Sequence, residues 1–300
     1  MRFILTKRIV AVIIIVIAFG VLVFIGLYGG NKPLESIVTP PIATTDLGPK
    51  HEVIGYSVDG RAIEVFTYGG GNTHLLFVGG MHGGYEWNSV LLAYAFMDYL
   101  DIHPEAIPDG FGISVIPSIN PDGVYKVIGK EGHFDIADVS TSGNFSPGRF
   151  NAHNVDLNRN FDCKWKSKST WRGNVVSAGT APFSEPETAA LRDFVKNTDQ
   201  QGVVFWHSQS NAVYASECEN GILPVTRDIM NVYAKAAGYP AVDVFDAYEI
   251  TGDSEGWLAS IGIPAITVEL STHDTIEWSK NLAGVKALIG YYAQKNGVNK

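Results

Sequence analysis

The amino-acid sequence predicts an α/β fold with a mixed, mostly parallel central sheet flanked by helices. From residue 51 onward, short uncharged apolar runs alternate with longer amphipathic runs. Strands that alternate with helices are typical of a sheet whose strands run mostly parallel. Hydrophobic residues make up 46% of the 300 residues and charged residues 18%, a composition that supplies a globular core.

The first 28 residues have the pattern of a membrane anchor. A basic stub, residues 1–8, precedes residues 9–28, which contain no charged residue. About 20 apolar residues form a helix of about 30 Å, which matches the hydrocarbon thickness of a bilayer. Because the cations come first, we expect the N-terminus in the cytoplasm and the rest of the chain outside it. A cleaved signal peptide, which would leave the protein secreted, is the alternative.

Residues 29–50 are predicted to be a linker, and residues 51–300 a single folded domain. The linker is rich in proline and threonine and has no apolar periodicity. The net charge is -9 and no basic patch follows the first residues, so nucleic acid is not an expected partner. Cys163 and Cys218 lack the spacing of a metal site, which leaves either a disulfide or two free thiols.

The first half of the domain contains a hairpin, two strands and a helix. Two alternating runs flank Asp59-Gly60 and predict a β-hairpin over residues 53–68. Buried strands are predicted at 75–78 and 112–117, with a helix over 87–100 between them. Asn-Pro-Asp-Gly at 120–123 predicts a turn, and weak periodicity predicts a long surface loop over 124–153.

The second half continues the alternation of helices and strands. Ser184 and Glu187 have the spacing of a capping box and predict the start of a helix. Apolar runs predict strands, and amphipathic runs predict helices. The predicted strands are 202–206 and 263–270, and the remaining predicted helices are 222–237 and 282–294.

Polar side chains follow or end three of these strands. His82 and Glu86 come after the strand at 75–78, within a glycine-rich turn. His207 ends a strongly apolar strand, and Glu269 lies at the end of another. In such sheets the functional site collects at the carboxyl ends of the strands. A chance glycine turn containing a His and a Glu is the alternative interpretation of the first motif.

Two histidines, a glutamate and a spare carboxylate are the parts of a zinc hydrolase. Imidazole nitrogen and carboxylate oxygen are the ligands of a hydrolytic zinc ion. Three protein ligands leave one coordination position for water, and the spare carboxylate accepts its proton. The sequence therefore predicts one zinc ion per chain.

A polar segment at 154–161 supplies groups suited to a carboxylate. Arg159, which follows Asn158, offers the fork-like donors of a guanidinium. Asp156 is placed to accept a hydrogen bond from the far nitrogen of a ligand histidine. A polar loop with a surface salt bridge is the alternative.

From residue 51 to its end the chain resembles the zinc carboxypeptidase family, the M14 metallopeptidases. The resemblance implies the family's fold and its zinc-dependent hydrolysis of a C-terminal amide bond. It rests on six ordered motifs: Gly-Gly-Met-His-Gly-Gly-Tyr-Glu at 79–86, Asn-Pro-Asp-Gly at 120–123, Val-Asp-Leu-Asn-Arg-Asn-Phe at 155–161, Ser-Glu-Pro-Glu-Thr at 184–188, His207-Ser208, and Thr-Val-Glu-Leu at 267–270.

The resemblance also implies roles for the chemical groups. The implied zinc ligands are His82, Glu86 and His207. Glu269 is the implied general base, which passes the proton on to the leaving amine, and Arg149 is the implied donor to the scissile carbonyl. The family spaces its first ligands as His-x-x-Glu, whereas three residues intervene here. We expect the doubled glycine to absorb the extra residue as a small bulge.

The implied recognition residues surround the substrate's terminal carboxylate. Asn158 and Arg159 would hold that carboxylate, and Tyr248 resembles the family's mobile tyrosine that closes over the substrate. Asp156 would orient His82. Glu255 falls near the implied floor of the side-chain pocket, with Asp253 close by. A carboxylate there favours a cationic terminal residue, such as Lys, Arg or diaminopimelate.

The leading interpretation is a zinc metallocarboxypeptidase that prefers a basic terminal residue. Its partners are then a peptide or muropeptide with a free carboxylate, and the membrane through residues 9–28. One alternative is a cell-wall peptidase that cuts the γ-D-glutamyl–diaminopimelate bond of muropeptides. A deacylase acting on a non-peptide amide and an inactive peptide-binding module are alternatives from other classes.

Overall fold

The computed structural model describes residues 48–140 and 142–297. The predicted stub, the predicted anchor and most of the predicted linker lie outside the described residues. Within the described ranges, no helix combines the length and the apolar character needed to cross a membrane.

A mixed eight-stranded sheet forms the centre of the domain. Its strands are β1 Lys50–Tyr56, β2 Ala62–Gly69, β3 Thr73–Val78, β4 Phe111–Ile116, β7 Gln200–Ser208, β8 Ala212–Ala215, β9 Ala241–Val242 and β10 Ala265–Leu270, with β5 Lys168–Trp171 and β6 Asn174–Ser177 in a separate hairpin. The order in the sheet is β1-β2-β4-β3-β7-β10-β8-β9. The middle strands β4, β3, β7 and β10 run parallel to one another, and β2 and β8 pair antiparallel to the two ends of this group.

Helices cover both faces of the sheet. Successive residues of a strand point to opposite faces, so each buried strand contributes side chains to two hydrophobic cores. Leu75 and Phe77 of β3 belong to one hydrophobic core, whereas Leu76 and Val78 belong to the other. The helices are α1 Trp87–Ile102, α2 Pro121–Ile128, α3 Pro186–Asn197, α4 Pro224–Ala237, α5 Ser254–Ser260 and α6 Trp278–Lys295. Residues of α1, α4 and α6 pack in the first core, and residues of α3 and α5 in the second. The predicted mixed sheet flanked by helices is thus confirmed.

The turn predicted at 120–123 is instead the start of a helix. Asn120 is the N-cap of α2, and its side-chain oxygen accepts a hydrogen bond from the Gly123 amide. Proline at the first helical position suits this arrangement, because its missing N–H would have no helical partner. The predicted loop over 124–153 therefore begins inside α2.

The predicted capping box at the start of α3 is wrong. The N-cap of this helix is Glu185, without a side-chain cap. Glu187 points away and accepts hydrogen bonds from the Val58 amide and from Asn151. Ser184 lies one residue before the N-cap position, and its hydroxyl accepts a hydrogen bond from the Asn160 side chain instead. The motif thus links α3 to distant segments.

The structure also joins Cys163 and Cys218 in a disulfide, which decides between the two alternatives left by the sequence. The hairpin β5–β6, the short strands β8 and β9 and helix α5 have no counterpart in the sequence prediction. Two of these elements, the hairpin and α5, carry residues of the site described next.

Candidate active site

Three neighbouring parallel strands deliver the predicted chemical groups to one edge of the sheet. In the register of β10 with β7, Glu269 pairs with His207. The chain leaving β3 passes through Gly79, where a side chain would lie 2.6 Å from the Ser89 carbonyl oxygen and 2.7 Å from that of Pro117. Only glycine fits this crossing, which leads the chain to His82.

His82, Glu86 and His207 form a compact buried cluster. Their candidate ligand atoms lie within 4.8 Å of one another. Each side chain is at most 5% exposed. His207 Nδ1 lies 3.0 Å from Glu86 Oε2. Two imidazoles and one carboxylate that converge on a point fit a zinc ion that keeps an open coordination position.

A turn of 3-10 helix accommodates the extra residue between His82 and Glu86. The turn covers Gly83–Glu86 and replaces the bulge that the sequence predicts. Gly83 has a positive φ of 45°, and a side chain there would lie 2.6 Å from the Gly148 carbonyl oxygen. The longer spacing therefore still brings Glu86 to the cluster.

A carboxylate lies behind each histidine of the cluster. Asp156 Oδ1 is 3.6 Å from His82 Nδ1, and Glu255 Oε1 is 3.5 Å from His207 Nε2. Burial and the Arg149 charge hold the pKa of His82 well below its usual value. Burial also acts to lower the pKa of His207, but Glu86 and Glu255 outweigh it and raise that pKa well above its usual value. Such carboxylates fix the orientation of ligand imidazoles.

Glu269 is near the cluster but does not belong to it. Its Oε2 accepts a hydrogen bond of 3.2 Å from the Ser210 amide. Burial, followed by the charge of Glu86, raises the pKa of Glu269 to about 7. A carboxylate with this pKa can both accept and donate a proton near neutral pH.

Arg149 lies on the other side of the cluster, held by Asp156 and Trp171. Its Nε and Nη2 each donate to Asp156 Oδ2 at 2.9 Å. Its guanidinium carbon lies 4.5 Å from the centre of the Trp171 ring. Nη1 is 4.0 Å from Glu86 Oε1. Arg149 is thus fixed beside the cluster with one edge turned toward it.

Asn158 and Arg159 lie together in the cavity wall. The Asn158 side-chain oxygen accepts from the Ser254 amide and hydroxyl, which leaves the two donors of its amide group for the cavity. Arg159 is 2% exposed, and its guanidinium donates to the Asn158 and Thr170 carbonyl oxygens. Within the described part of the chain it has no carboxylate within 4.0 Å, so its buried charge is free for an anionic ligand. The ring of Tyr248 lies 6.0 Å from this guanidinium.

These groups surround one cavity of about 340 Å³. Its wall also contains Asp253 and Glu255, which the sequence placed near the pocket floor. Glu255 accepts hydrogen bonds from Thr267 and Ser254, in addition to facing His207. Burial opposes ionisation of Glu255, but its contact with His207 lowers its pKa to about 2. Burial and neighbouring Glu255 raise the pKa of Asp253 to about 6.

Sequence reasoning missed several residues of the cavity. Tyr85, Trp171 and Arg172 line the side beside Arg149. The centre of the Tyr85 ring lies 5.3 Å from the centre of the Trp171 ring and 4.7 Å from that of the His273 ring. Tyr85 lies directly before Glu86, and that position was the one available signal in the sequence. The others come from segments whose placement no local pattern indicates.

The zinc carboxypeptidase family model matches residues 50–282. The chain belongs to the zinc carboxypeptidase family. The family is zinc-dependent, and the His82, Glu86 and His207 cluster is the group that fits its metal. The resemblance read from the motifs is therefore confirmed.

Two curated relatives are named as enzymes that act on γ-D-glutamyl-diamino acid or murein peptides. The chain is 25% identical to gamma-D-glutamyl-L-diamino acid endopeptidase 1 of Lysinibacillus sphaericus over 73% of the chain and 60% of that protein. It is 30% identical to murein peptide amidase A of Escherichia coli K12 over 40% of the chain and 50% of that protein. The alignments thus span only about half to three fifths of these relatives.

Solved structures of the family share the fold. Bovine thrombin-activatable fibrinolysis inhibitor, in complex with tick carboxypeptidase inhibitor, superposes with a TM-score of 0.67 at 19% identity, covering 83% of this chain and 91% of that one. The murein-tripeptide amidase MpaA of Escherichia coli O157 gives a TM-score of 0.59 at 23% identity, covering 82% and 94%.

Proposed function

We propose that this zinc carboxypeptidase family member hydrolyses the amide bond before a C-terminal diamino acid. The observation that carries the proposal is the pairing of opposite charges in one cavity. Arg159 offers a buried, unpaired cation for the terminal carboxylate, and Asp253 and Glu255 offer anions for a second ammonium group. Lysine and diaminopimelate both present this combination.

Each group of residues in the site has a separate role in the proposed reaction. His82, Glu86 and His207 would hold the zinc ion, which would supply Lewis-acid chemistry and a water that is reactive at neutral pH. Glu269 accepts a proton from the attacking water and delivers it to the leaving amine. Arg149 donates to the scissile carbonyl oxygen as negative charge develops there. Asn158 and Arg159 hold the terminal carboxylate, and with it the bond that breaks.

A cell-wall peptide is the candidate substrate that the relatives favour. Both curated relatives named above carry cell-wall or γ-D-glutamyl-diamino acid substrates in their names. The cavity chemistry fits diaminopimelate as well as lysine. A basic-specific carboxypeptidase acting on ordinary peptides is the second candidate, because the same acidic wall suits its substrates.

We also propose that residues 9–28 anchor the protein and that the catalytic domain, residues 51–300, lies outside the cytoplasm. The disulfide between Cys163 and Cys218 supports this placement, since such bonds persist in oxidising compartments. The full-length protein should sediment with membranes and resist carbonate extraction. Recovery of the intact chain in the soluble fraction would contradict the anchor.

The proposed activity is tested with the zinc-loaded full-length protein. The substrates are peptides that end in lysine or in norleucine, which lacks the ammonium group, together with a γ-D-glutamyl-diaminopimelate muropeptide. Mass spectrometry identifies the bond that is cut. We expect release of the diamino acid and little release of norleucine. Zinc binding without any cleavage would instead favour the inactive binding module.

Asp253→Asn tests the acidic wall most cleanly. Asparagine still caps α5, as Asp253 does through the Gly256 amide, so the fold should be kept. We expect the lysine-to-norleucine ratio of kcat/KM to fall about tenfold, the size expected for one charge-assisted hydrogen bond. Glu249→Gln, an exposed carboxylate outside the cavity wall, is the control. An unchanged ratio in Asp253→Asn would remove the acidic wall from the proposal.

Glu255→Gln separates the two contacts of Glu255. Because its carboxylate lies behind His207 as well as in the cavity wall, this variant should weaken both zinc affinity and the preference for lysine. Zinc affinity is measured by competition with a chelator. A variant with the zinc affinity of the wild type would limit Glu255 to the substrate.

A further inference from the structure

Arg172 lines the cavity without a role in the mechanism above. We propose that Arg172 binds a carboxylate on the residue that precedes the scissile bond, so that the enzyme prefers an acidic acyl residue. The inference rests on the proposed function and extends it from the leaving residue to the acyl side of the substrate.

The backbone holds Arg172 at the tip of a tight hairpin. Trp171 pairs with Asn174 across β5 and β6, and only Arg172 and Gly173 connect them. Both connecting residues have positive φ, 49° and 78°. Two-residue hairpin turns with this geometry favour Asn-Gly or Asp-Gly. A long side chain in this conformation is uncommon, and such outliers cluster at ligand-binding positions.

The guanidinium of Arg172 is free to bind an anion. The side chain is exposed, and its nearest aromatic contact is the Trp171 ring at 5.7 Å. Among the residues that the structure describes, it makes no side-chain hydrogen bond and no ion pair within 4.0 Å. Arg149, in contrast, is neutralised by Asp156. Arg172 is therefore the unpaired cation on this side of the cavity.

The position of Arg172 assigns it to the acyl side. Arg172 follows Trp171, and both residues line the cavity together with Tyr85 and Arg149. The centre of the Tyr85 ring lies 5.3 Å from that of Trp171 and 4.7 Å from that of His273. Arg172 therefore belongs to the Tyr85 and Trp171 side of the cavity.

The substrate path follows from the positions of the three arginines. The terminal carboxylate is held at Arg159, and the scissile carbonyl lies at Arg149. The Trp171 ring packs against Arg149 at 4.5 Å, and Arg172 follows Trp171 in the chain. With the scissile carbonyl at Arg149, we place the residue before the scissile bond along the Trp171 ring, which brings its polar groups toward Arg172.

The ligand group is a carboxylate because a guanidinium offers several N–H donors in a planar fork. Two kinds of acyl residue present one there. A γ-linked D-glutamyl residue keeps its α-carboxylate free, whereas an α-linked L-glutamyl residue offers its side-chain carboxylate. The test contains both.

The experiment uses pairs of substrates that differ only in this group. One pair is γ-D-glutamyl-lysine and its γ-D-isoglutaminyl analogue, in which the α-carboxylate is an amide. The other pair is N-acetyl-L-glutamyl-lysine and N-acetyl-L-glutaminyl-lysine. The measured quantity is the acid-to-amide ratio of kcat/KM within each pair. The pair with the higher ratio identifies the linkage that Arg172 recognises.

We expect the wild type to prefer the acid about tenfold in one pair and Arg172→Asn to lose this preference. Asparagine suits the turn conformation and removes the charge. Lys168→Gln removes a positive charge from the same hairpin outside the cavity wall and is the control. A wild type indifferent to acid and amide in both pairs would refute the role of Arg172. Equal losses on acid and amide in Arg172→Asn would also refute it.

A failure of the proposed function would look different. In that case lysine would not be released from any of these substrates by the wild type. The acid-to-amide preference is then measured as binding of the same peptides to the zinc-loaded protein by calorimetry. A preference that Arg172→Asn abolishes would support the anion site, and equal binding of acid and amide would overturn it.

Discussion

The two halves of the site are constructed differently. His207 and Glu269 lie on adjacent parallel strands, in direct register. Arg149 and Arg159 lie instead on two short 3-10 turns, in the irregular part of the chain that precedes the β5–β6 hairpin. Backbone pairing of the sheet positions the first group, which we call the strand-end half. Individual side-chain contacts position the second group, which we call the loop half.

Those contacts are concentrated at a few buried points. The Asn160 side chain is fully buried and donates to the Ala178 and Ala181 carbonyl oxygens, at 2.7 and 2.9 Å. Its oxygen accepts from the Glu185 amide. The Cys163–Cys218 disulfide holds the same segment to the loop after β8. The comparison indicates that the sheet fixes the candidate ligand His207 and the proposed base Glu269, whereas the loops can vary the residues around them.

Glu269→Gln tests the strand-end half and should have the largest effect. The amide cannot accept a proton from water, so kcat should fall by about 10³- to 10⁴-fold. Zinc content, measured by elemental analysis, should match the wild type because Glu269 lies outside the ligand cluster. Glu64→Gln, on the edge-side strand β2, is the matched control. Turnover at the wild-type rate would exclude Glu269 as the base.

The same division limits what the sequence can predict. His82, His207 and Glu269 stood out because each polar residue follows or ends an apolar strand, and parallel strand ends meet at one edge. Glu255 behind His207 could not be placed this way, because α5 approaches the sheet only through tertiary packing. The β5–β6 hairpin carried neither an alternating pattern nor an Asn-Gly turn, so Arg172 gave no local signal.

Arg159→Lys tests the loop half and should have the next largest effect. Lysine keeps the charge but loses the planar fork that binds a carboxylate with two hydrogen bonds. We expect kcat/KM to fall about 100-fold on substrates with a free terminal carboxylate.

Two comparisons make the Arg159→Lys result specific. On substrates with a terminal carboxamide, the variant and the wild type should differ much less, since neither has a carboxylate to bind. Arg192→Lys, on α3 outside the cavity wall, where Arg192 pairs with Asp193, should resemble the wild type. An equal loss on carboxylate and carboxamide substrates would mean that Arg159 acts through the fold.

Removal of the disulfide should affect the loop half alone and have the smallest effect on turnover. Cys163→Ala with Cys218→Ala opens a loop of 55 residues, which the chain-entropy model equates with about 4 kcal/mol of stability. Because Cys163 lies in the cavity wall near Gly256, recognition should loosen and kcat/KM should fall about tenfold through KM. Zinc affinity should stay unchanged, since the strand ends hold the ligands. Loss of zinc in this folded variant, measured by chelator competition, would show that the loops also hold the metal centre and that the two halves are not independent.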